Sequence, residues 1–262
     1  MSTTWVIGSA LSAAALATVL IGSVLDVDSA QAAAPAAAVP AARATALPTL
    51  SVAATKKLAT AAANIVSPAL ADIRTDTAAA PAAGTGIVLT ATGEVLTNYH
   101  VVTGATRILA TDVGTGRTYP ATVLGYNAAE DIAVLQLTGA TGLPVAHLAS
   151  TPATVGQSVF AVGNAGGVGG APAWASGSVT DANRSIVATN ERNKVSTPLT
   201  GMLQTTAPIV PGYSGGALVN TAGQVVGMDT AGSFPTPDKP ATAAYAIPIA
   251  RAVGIANAIT AP

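Results

Sequence analysis

From Ala69 onward, short apolar runs alternate with turns that carry Gly, Asn, Asp and Thr, a pattern of strands and tight connections. Gly86–Thr90 and Glu94–Asn98 flank Ala91-Thr92-Gly93, and Ile108–Asp112 and Arg117–Leu124 flank Val113-Gly114-Thr115-Gly116, so both pairs read as hairpins. A further strand runs over Asp131–Leu137. The segment Gly139–Val155 is loop-like and marks a candidate boundary. A second set of strands follows: Ser158–Val162, Trp174–Thr180, Ile186–Ala188, Met202–Thr206, Ala217–Val219, Gln224–Asp229 and Ala243–Ile247. Helical spacing occurs at two places. Val52–Ile65 puts Leu58, Ala61, Ala62 and Ile65 on one face and stops before Pro68, and Ile249–Ile259 is expected to pack back on the second half. Many short strands with few helices predict an all-β sandwich or barrel.

The N-terminal part follows a different rule. Trp5–Leu25 is apolar with a few Ser, Thr and Gly, and Asp26 and Asp28 end it. Ala30-Gln31-Ala32 then offers the small-x-small pattern that a signal peptidase reads, which points to a cleaved secretory signal over residues 1–32. The alternative is membrane anchoring by residues 5–25, because such a run could cross ~30 Å of hydrocarbon as a helix and lacks a basic n-region. Gln31–Ser51 is almost wholly Ala, Pro, Val and Thr and reads as an extended tether. Half of the 262 residues are hydrophobic, so burial does not limit folding. Charged residues make up 9% and the net charge is −1, which argues against a nucleic-acid partner. The absence of cysteine excludes disulfides and thiolate metal sites.

The chemistry concentrates in Pro211-Gly212-Tyr213-Ser214-Gly215-Gly216-Ala217-Leu218-Val219-Asn220, which sets a serine on a glycine-flanked turn before a strand. Such glycines let main-chain N–H groups approach a substrate closely. A serine hydroxyl needs a base and a group that orients the base. Of the two histidines, His147 sits in an apolar loop with no acid nearby and reads as a packed or surface residue. His100 ends a strand pattern in Thr97-Asn98-Tyr99-His100-Val101-Val102, a better place for function. Asp131 opens an otherwise apolar strand and, if desolvated there, calls for a partner.

These three segments, in the order His100, Asp131, Ser214, resemble the chymotrypsin-like serine peptidases, most closely the bacterial HtrA (Deg) branch without a PDZ domain. The similarity runs from about Ile65 to Ile259 and includes Leu203-Gln204-Thr205, Gly223–Gly227 and Tyr245–Pro248. The resemblance implies two six-stranded antiparallel β-barrels with a short C-terminal helix. After the tether and lead-in helix (residues 33–64), the barrels would occupy residues 65–150 and 151–262, with the site in the cleft between them. It further implies a Ser-His-Asp triad, an oxyanion hole made by the N–H groups of Gly212 and Ser214, and a primary pocket with Pro208 at its base and Thr230, Ala231 and Gly232 along a wall. Thr230 also matches the position whose hydroxyl supports the triad aspartate; its other reading is an ordinary strand threonine. Tyr213 departs from the family pattern, which has a small polar residue there, and this bears on loop conformation and substrate access. In relatives activated by cleavage an aspartate at this position receives the new N-terminus, so Tyr213 argues against that switch.

Two functions are therefore in view: a secreted or cell-envelope serine endopeptidase acting on unfolded protein or peptide substrates, and an inactive peptidase-like fold that binds peptides or protein partners in the same cleft. Neither needs a cofactor, and no cluster of ligands has metal spacing. The glycine-rich run Gly163–Gly170 lacks G-x-G-x-x-G and a following Lys-Ser/Thr, so it reads as a flexible surface loop and not as a nucleotide site.

Overall fold

The computed structural model describes residues 21–26, 51–78, 80–190, 194–232 and 243–261. Most of the apolar N-terminal run, the Ala30-Gln31-Ala32 segment, the Pro/Ala tether and residues 233–242 lie outside the described residues. Within the N-terminal run, Ile21–Asp26 forms a strand, β1.

Six strands close the first barrel: β2 (Leu70–Thr77), β3 (Ala82–Val88), β4 (Glu94–Thr97), β5 (Ala105–Asp112), β6 (Thr118–Asn127) and β7 (Ile132–Leu137), in the order β2-β3-β4-β7-β6-β5. Its interior is filled by Ala71, Ile73, Val88, Val95, Leu135 and their neighbours. The β5–β6 hairpin is set by Asp112, whose Oδ2 accepts from the Thr115 N–H at 2.7 Å and from its hydroxyl at 2.6 Å.

The second barrel contains β8 (Ser158–Gly163), β9 (Ala173–Asn190), β10 (Ser196–Thr205), β11 (Ala217–Val219), β12 (Val225–Gly232) and β13 (Ala244–Pro248). The order is β9-β10-β13-β12-β11-β8, and β9 closes the ring by pairing with β8 as well. It does so by length: residues 173–178 pair with β8 and residues 179–189 with β10. The sequence suggests two strands here because Asp181-Ala182-Asn183-Arg184-Ser185 is polar, yet the ladder to β10 runs through it with register shifts. β1 adds antiparallel to the outer part of β9, pairing Ile21–Asp26 with Ile186–Asn190.

Two helices tie the barrels together. Helix α1 (Val52–Val66) is N-capped by Ser51, whose hydroxyl accepts from the Ala54 N–H at 3.2 Å. The face it buries is Ala59, Ala62, Ala63 and Val66, one residue on from the expected stripe, and Ile65 is half exposed. Small side chains win this face because they let the helix lie close on the second barrel. The C-terminal helix α3 (Ile249–Thr260) also departs from expectation, because it packs on both halves and not only on the second. Ile259 fills the space where a side chain at Gly125 of β6 would be, and the Arg251 guanidinium pairs with the Glu130 carboxylate of the first barrel and donates to the Thr200 carbonyl of the second.

Candidate active site

The histidine stands on a short helical turn, α2 (Tyr99–Val102), that begins where β4 ends. The acid stands just before β7 with φ +53°, a left-handed conformation uncommon for aspartate. The segment around the histidine holds it there. The Asp131 carbonyl accepts from the Tyr99 N–H at 3.2 Å and from the Asn98 side-chain amide at 3.0 Å. The preceding turn is fixed by Asn127, whose side-chain oxygen accepts from the N–H groups of Ala129 and Glu130.

The Asp131 carboxylate is buried and gathers three donors. Its Oδ1 accepts from the His100 N–H at 3.0 Å, and its Oδ2 from the Thr230 hydroxyl at 2.5 Å. His100 Nδ1 lies 2.8 Å from Oδ2 and 3.0 Å from Oδ1. An ionised carboxylate can only accept, so Nδ1 carries the proton and Nε2 of the neutral ring is left as a base. Nε2 is buried and has no hydrogen-bond partner among the described residues. No hydrogen bond joins it to Ser214; in sites without substrate such bonds are commonly long and tighten when substrate binds.

Ser214 is buried in the turn between β10 and β11. Gly212 has φ +96°, and a Cβ there would fall 1.9 Å from the Asn164 carbonyl oxygen, so only glycine fits. The turn is hydrogen-bonded almost throughout. Tyr213 N–H donates to the Val210 carbonyl at 3.1 Å, Gly215 N–H to Asp229 at 2.8 Å and Gly216 N–H to Tyr213 at 2.7 Å. Within Pro211–Gly216 the two exceptions are the N–H groups of Gly212 and Ser214, which have no acceptor among the described residues.

The glycine-rich loop is not a detached surface feature, as the sequence suggests. Gly166 N–H donates to the Pro211 carbonyl at 2.8 Å, and Asn164 Oδ1 accepts from Gly169 N–H at 2.8 Å. At the loop's far end Gly170 N–H donates to Asp72 Oδ2 at 2.8 Å. Burial raises the Asp72 carboxyl above its usual range, and this bond partly offsets the shift.

Tyr213 points into the core of the second barrel and is 3% exposed, so it does not obstruct the cleft. Burial, with a smaller contribution from the Asp229 charge, pushes its phenol up to about 12. Asp229 itself is fully buried, its Oδ2 has no partner, and desolvation raises its carboxyl well above the usual range.

The remaining expectations divide. Thr230 meets Asp131, Ala231 and Gly232 lie on the same strand β12, and His147 is exposed on a loop. Pro208, expected at the base of the primary pocket, is exposed. The neighbouring Ile209 is buried and packs on Gly232, with its Cγ1 3.0 Å from where a Cβ would stand. The cause is local, since Ala207 and Ile209 both turn into the apolar core and leave Pro208 between them facing outward. A pocket on the Asp131 side of the histidine is also lined by Ala188, Asn190, Val195 and Thr197 of the β9–β10 hairpin. Among the described residues no group of three His, Cys, Asp or Glu side chains could hold a metal ion.

Sequence reasoning missed Thr85, Thr97, Asn98, Asn164 and Asp229. Thr85 has a signal, since it stands between two glycines in Gly84-Thr85-Gly86, where a backbone is prepared for close approach.

The family model of the trypsin-like peptidase domain matches residues 84–228, more than half of the chain. Serine protease PepD of Mycobacterium tuberculosis is 37% identical over 171 residues, covering 61% of this chain and 36% of that protein. The serine protease Do-like HtrA of Lactococcus lactis (strain IL1403) is 33% identical over 195 residues, covering 71% and 47%. The chain thus spans about a third to a half of the length of these curated relatives. Among solved structures, the HtrA-type protease AlgW with a tripeptide has a TM-score of 0.64 at 30% identity, covering 77% of this chain and 63% of that one. The serine endoprotease from Yersinia pestis has a TM-score of 0.63 at 28% identity, covering 81% and 67%. With this matched domain, two six-stranded barrels and HtrA and Do-like proteases as relatives, the chain belongs to the trypsin-like peptidase family, in its HtrA-like branch.

Proposed function

We propose that the protein is a serine endopeptidase that cleaves protein or peptide substrates, in unfolded form, through His100, Asp131 and Ser214. The observation that carries this reading is the pair of unengaged N–H groups at Gly212 and Ser214 in the segment Pro211–Gly216, whose other N–H groups are bonded. A buried donor left without an acceptor is costly unless a ligand supplies one. Here that ligand is the oxygen of a carbonyl under attack. His100 Nε2 takes the Ser214 hydroxyl proton as Oγ bonds to the carbonyl carbon, and Asp131 stabilises the imidazolium. The imidazolium then protonates the leaving amine as the C–N bond breaks, and water, activated by the same ring, releases the acyl group and restores Ser214.

The wall residues Ile209, Ala231 and Gly232 are apolar, which favours cleavage after small or medium apolar residues such as Ala, Val or Leu. Work outside the cytoplasmic membrane is supported by the apolar N-terminal run and the small-x-small segment after it. Among the described residues no helix is long and apolar enough to cross a membrane. N-terminal sequencing of the exported product distinguishes a start near Ala32 from retention of the anchor.

The test of activity is turnover of an unfolded protein, together with labelling of Ser214 by a serine-reactive phosphonate, in the full chain beside Ser214→Ala. Turnover and labelling that both vanish in the variant support the proposal. A wild type that does neither, but binds peptide, is the inactive binding fold.

A further inference from the structure

Thr85 lies in β3 of the first barrel, fully buried, and touches the nucleophile turn of the second barrel with both its backbone and its side chain. Its N–H donates to the Ser214 carbonyl at 2.8 Å. Its hydroxyl donates to the Gly212 carbonyl at 2.7 Å and accepts from the Asn164 N–H at 2.9 Å. Its own carbonyl accepts from the Thr97 hydroxyl at 2.7 Å, three residues before His100. The carbonyls held by this one residue therefore belong to the same two residues whose N–H groups are unengaged.

The geometry points to Thr85 as a positioning residue of this peptidase: by gripping the carbonyls of Gly212 and Ser214 it anchors the turn that carries the two N–H groups receiving the oxyanion, while Gly166 and Gly216 hold the peptide planes of those N–H groups themselves. This rests on the peptidase reading given above. Peptide planarity makes the inference mechanical. The Pro211–Gly212 plane is fixed by Gly166 at the Pro211 carbonyl, and the Gly212–Tyr213 plane is fixed by the Thr85 hydroxyl. With both flanking planes held, Gly212 has no torsional freedom left. Ser214 is bounded in the same way by Gly216 at the Tyr213 carbonyl and by the Thr85 N–H at its own carbonyl. Among the described residues the hydroxyl is the only donor to the Gly212 carbonyl, and glycine turns easily about its backbone bonds, so removing the hydroxyl frees that plane.

The surroundings are cut to fit this contact. A Cβ at Gly215 would fall 2.1 Å from the Thr85 carbonyl oxygen, one at Gly163 would fall 3.0 Å from the Thr85 hydroxyl, and one at Gly84 would fall 3.1 Å from the Ser214 carbonyl oxygen. Three glycines on three segments leave the room through which Thr85 reaches the turn.

The experiment compares Thr85→Val, which keeps the shape and removes the hydroxyl, and Thr85→Ala with Thr85→Ser, which restores the hydroxyl. All are made in the full chain, with active sites counted by phosphonate titration. Loss of a full oxyanion donor costs about a hundredfold or more in kcat, so a misdirected one is expected to cost about tenfold to a hundredfold. KM should stay within about twofold and the pH–activity profile should keep its midpoint, because such a loss removes stabilisation made only in the transition state. Affinity for a peptide aldehyde, which forms the tetrahedral adduct, should fall in parallel with kcat/KM, and Thr85→Ser should recover most of the rate. A Thr85→Val enzyme with wild-type kcat per titrated site overturns the inference. So does a Thr85→Ser variant as slow as Thr85→Val. If Val and Ala both fail to fold while Ser folds, the hydroxyl is a folding determinant and the inference falls. A wild type that is inert to phosphonate and substrate overturns the peptidase reading itself, and this inference with it.

Discussion

Thr230 of the second barrel donates its hydroxyl to the Asp131 carboxylate of the first barrel at 2.5 Å, beside the bond from His100. The acid is thereby braced from both sides of the cleft. The brace gives the Asp131 carboxylate a third donor beside the Nδ1 side of the imidazole and so holds the ring in place. A hydrogen bond to a charged acceptor contributes about 1.5–3 kcal/mol. Thr230→Val is therefore expected to lower kcat by about tenfold or more with little change in KM, and Thr230→Ser to restore it; steady-state kinetics on a peptide substrate reads both.

Asp229 gives the fold a pH dependence of definite sign. Its carboxyl is fully buried and raised well above 3.8, so the folded state prefers the protonated form. Its contribution is complete below the unfolded value and is lost as pH rises through the folded value. The stability of the wild type should fall relative to Asp229→Asn as pH rises from about 4, with no such divergence below it. Urea unfolding of the two proteins from pH 3 to pH 8 measures it, and parallel curves would show that the carboxyl is already ionised in the fold.

Two glycines with similar backbone angles should respond very differently to alanine. Gly215 has φ +81° and its Cβ would collide with the Thr85 carbonyl and the Thr97 hydroxyl, whereas Gly104, at φ +70°, faces open space. Gly104→Ala should cost about 1 kcal/mol, the strain of the left-handed backbone alone. Gly215→Ala should cost several times more and abolish labelling of Ser214, because the Thr85 carbonyl cannot move without shifting β3. Thermal denaturation together with phosphonate labelling separates the two.

Ile209 packs against Gly232, along one wall of the proposed primary pocket. Ile209→Ala should shift preference in a peptide library from Ala and Val towards Leu and Phe at the cleaved position. An unchanged profile would place the pocket elsewhere.

The parts of this molecule that lie in consecutive residues were legible from the sequence. The nucleophile turn, the end of β4 with His100, both hairpins of the first barrel and α3 all announce themselves by local spacing. What the sequence did not disclose are relations across space. The left-handed Asp131 depends on Tyr99 and Asn98, and the glycine-rich loop is held by the Pro211 carbonyl, Asn164 and Asp72. The unbroken β9 fails the apolar pattern at Asp181–Ser185, where its pairing with β10 decides the structure. The buried face of helix α1 lies one residue on from the expected stripe, because small side chains touch the barrel there while Ile65 stays half exposed. Pro208 is exposed beside the buried Ile209, because which of two neighbours faces outward is decided by packing and not by position in the chain.

The C-terminal helix reaches across to the first barrel through Ile259 and Arg251. His100 and Asp131 sit on one side of the seam it closes, and Ser214 and Thr230 on the other. Under the proposed function, a chain whose halves have folded but not yet met holds the cutting edge as two separate pieces, and only their docking brings those pieces together.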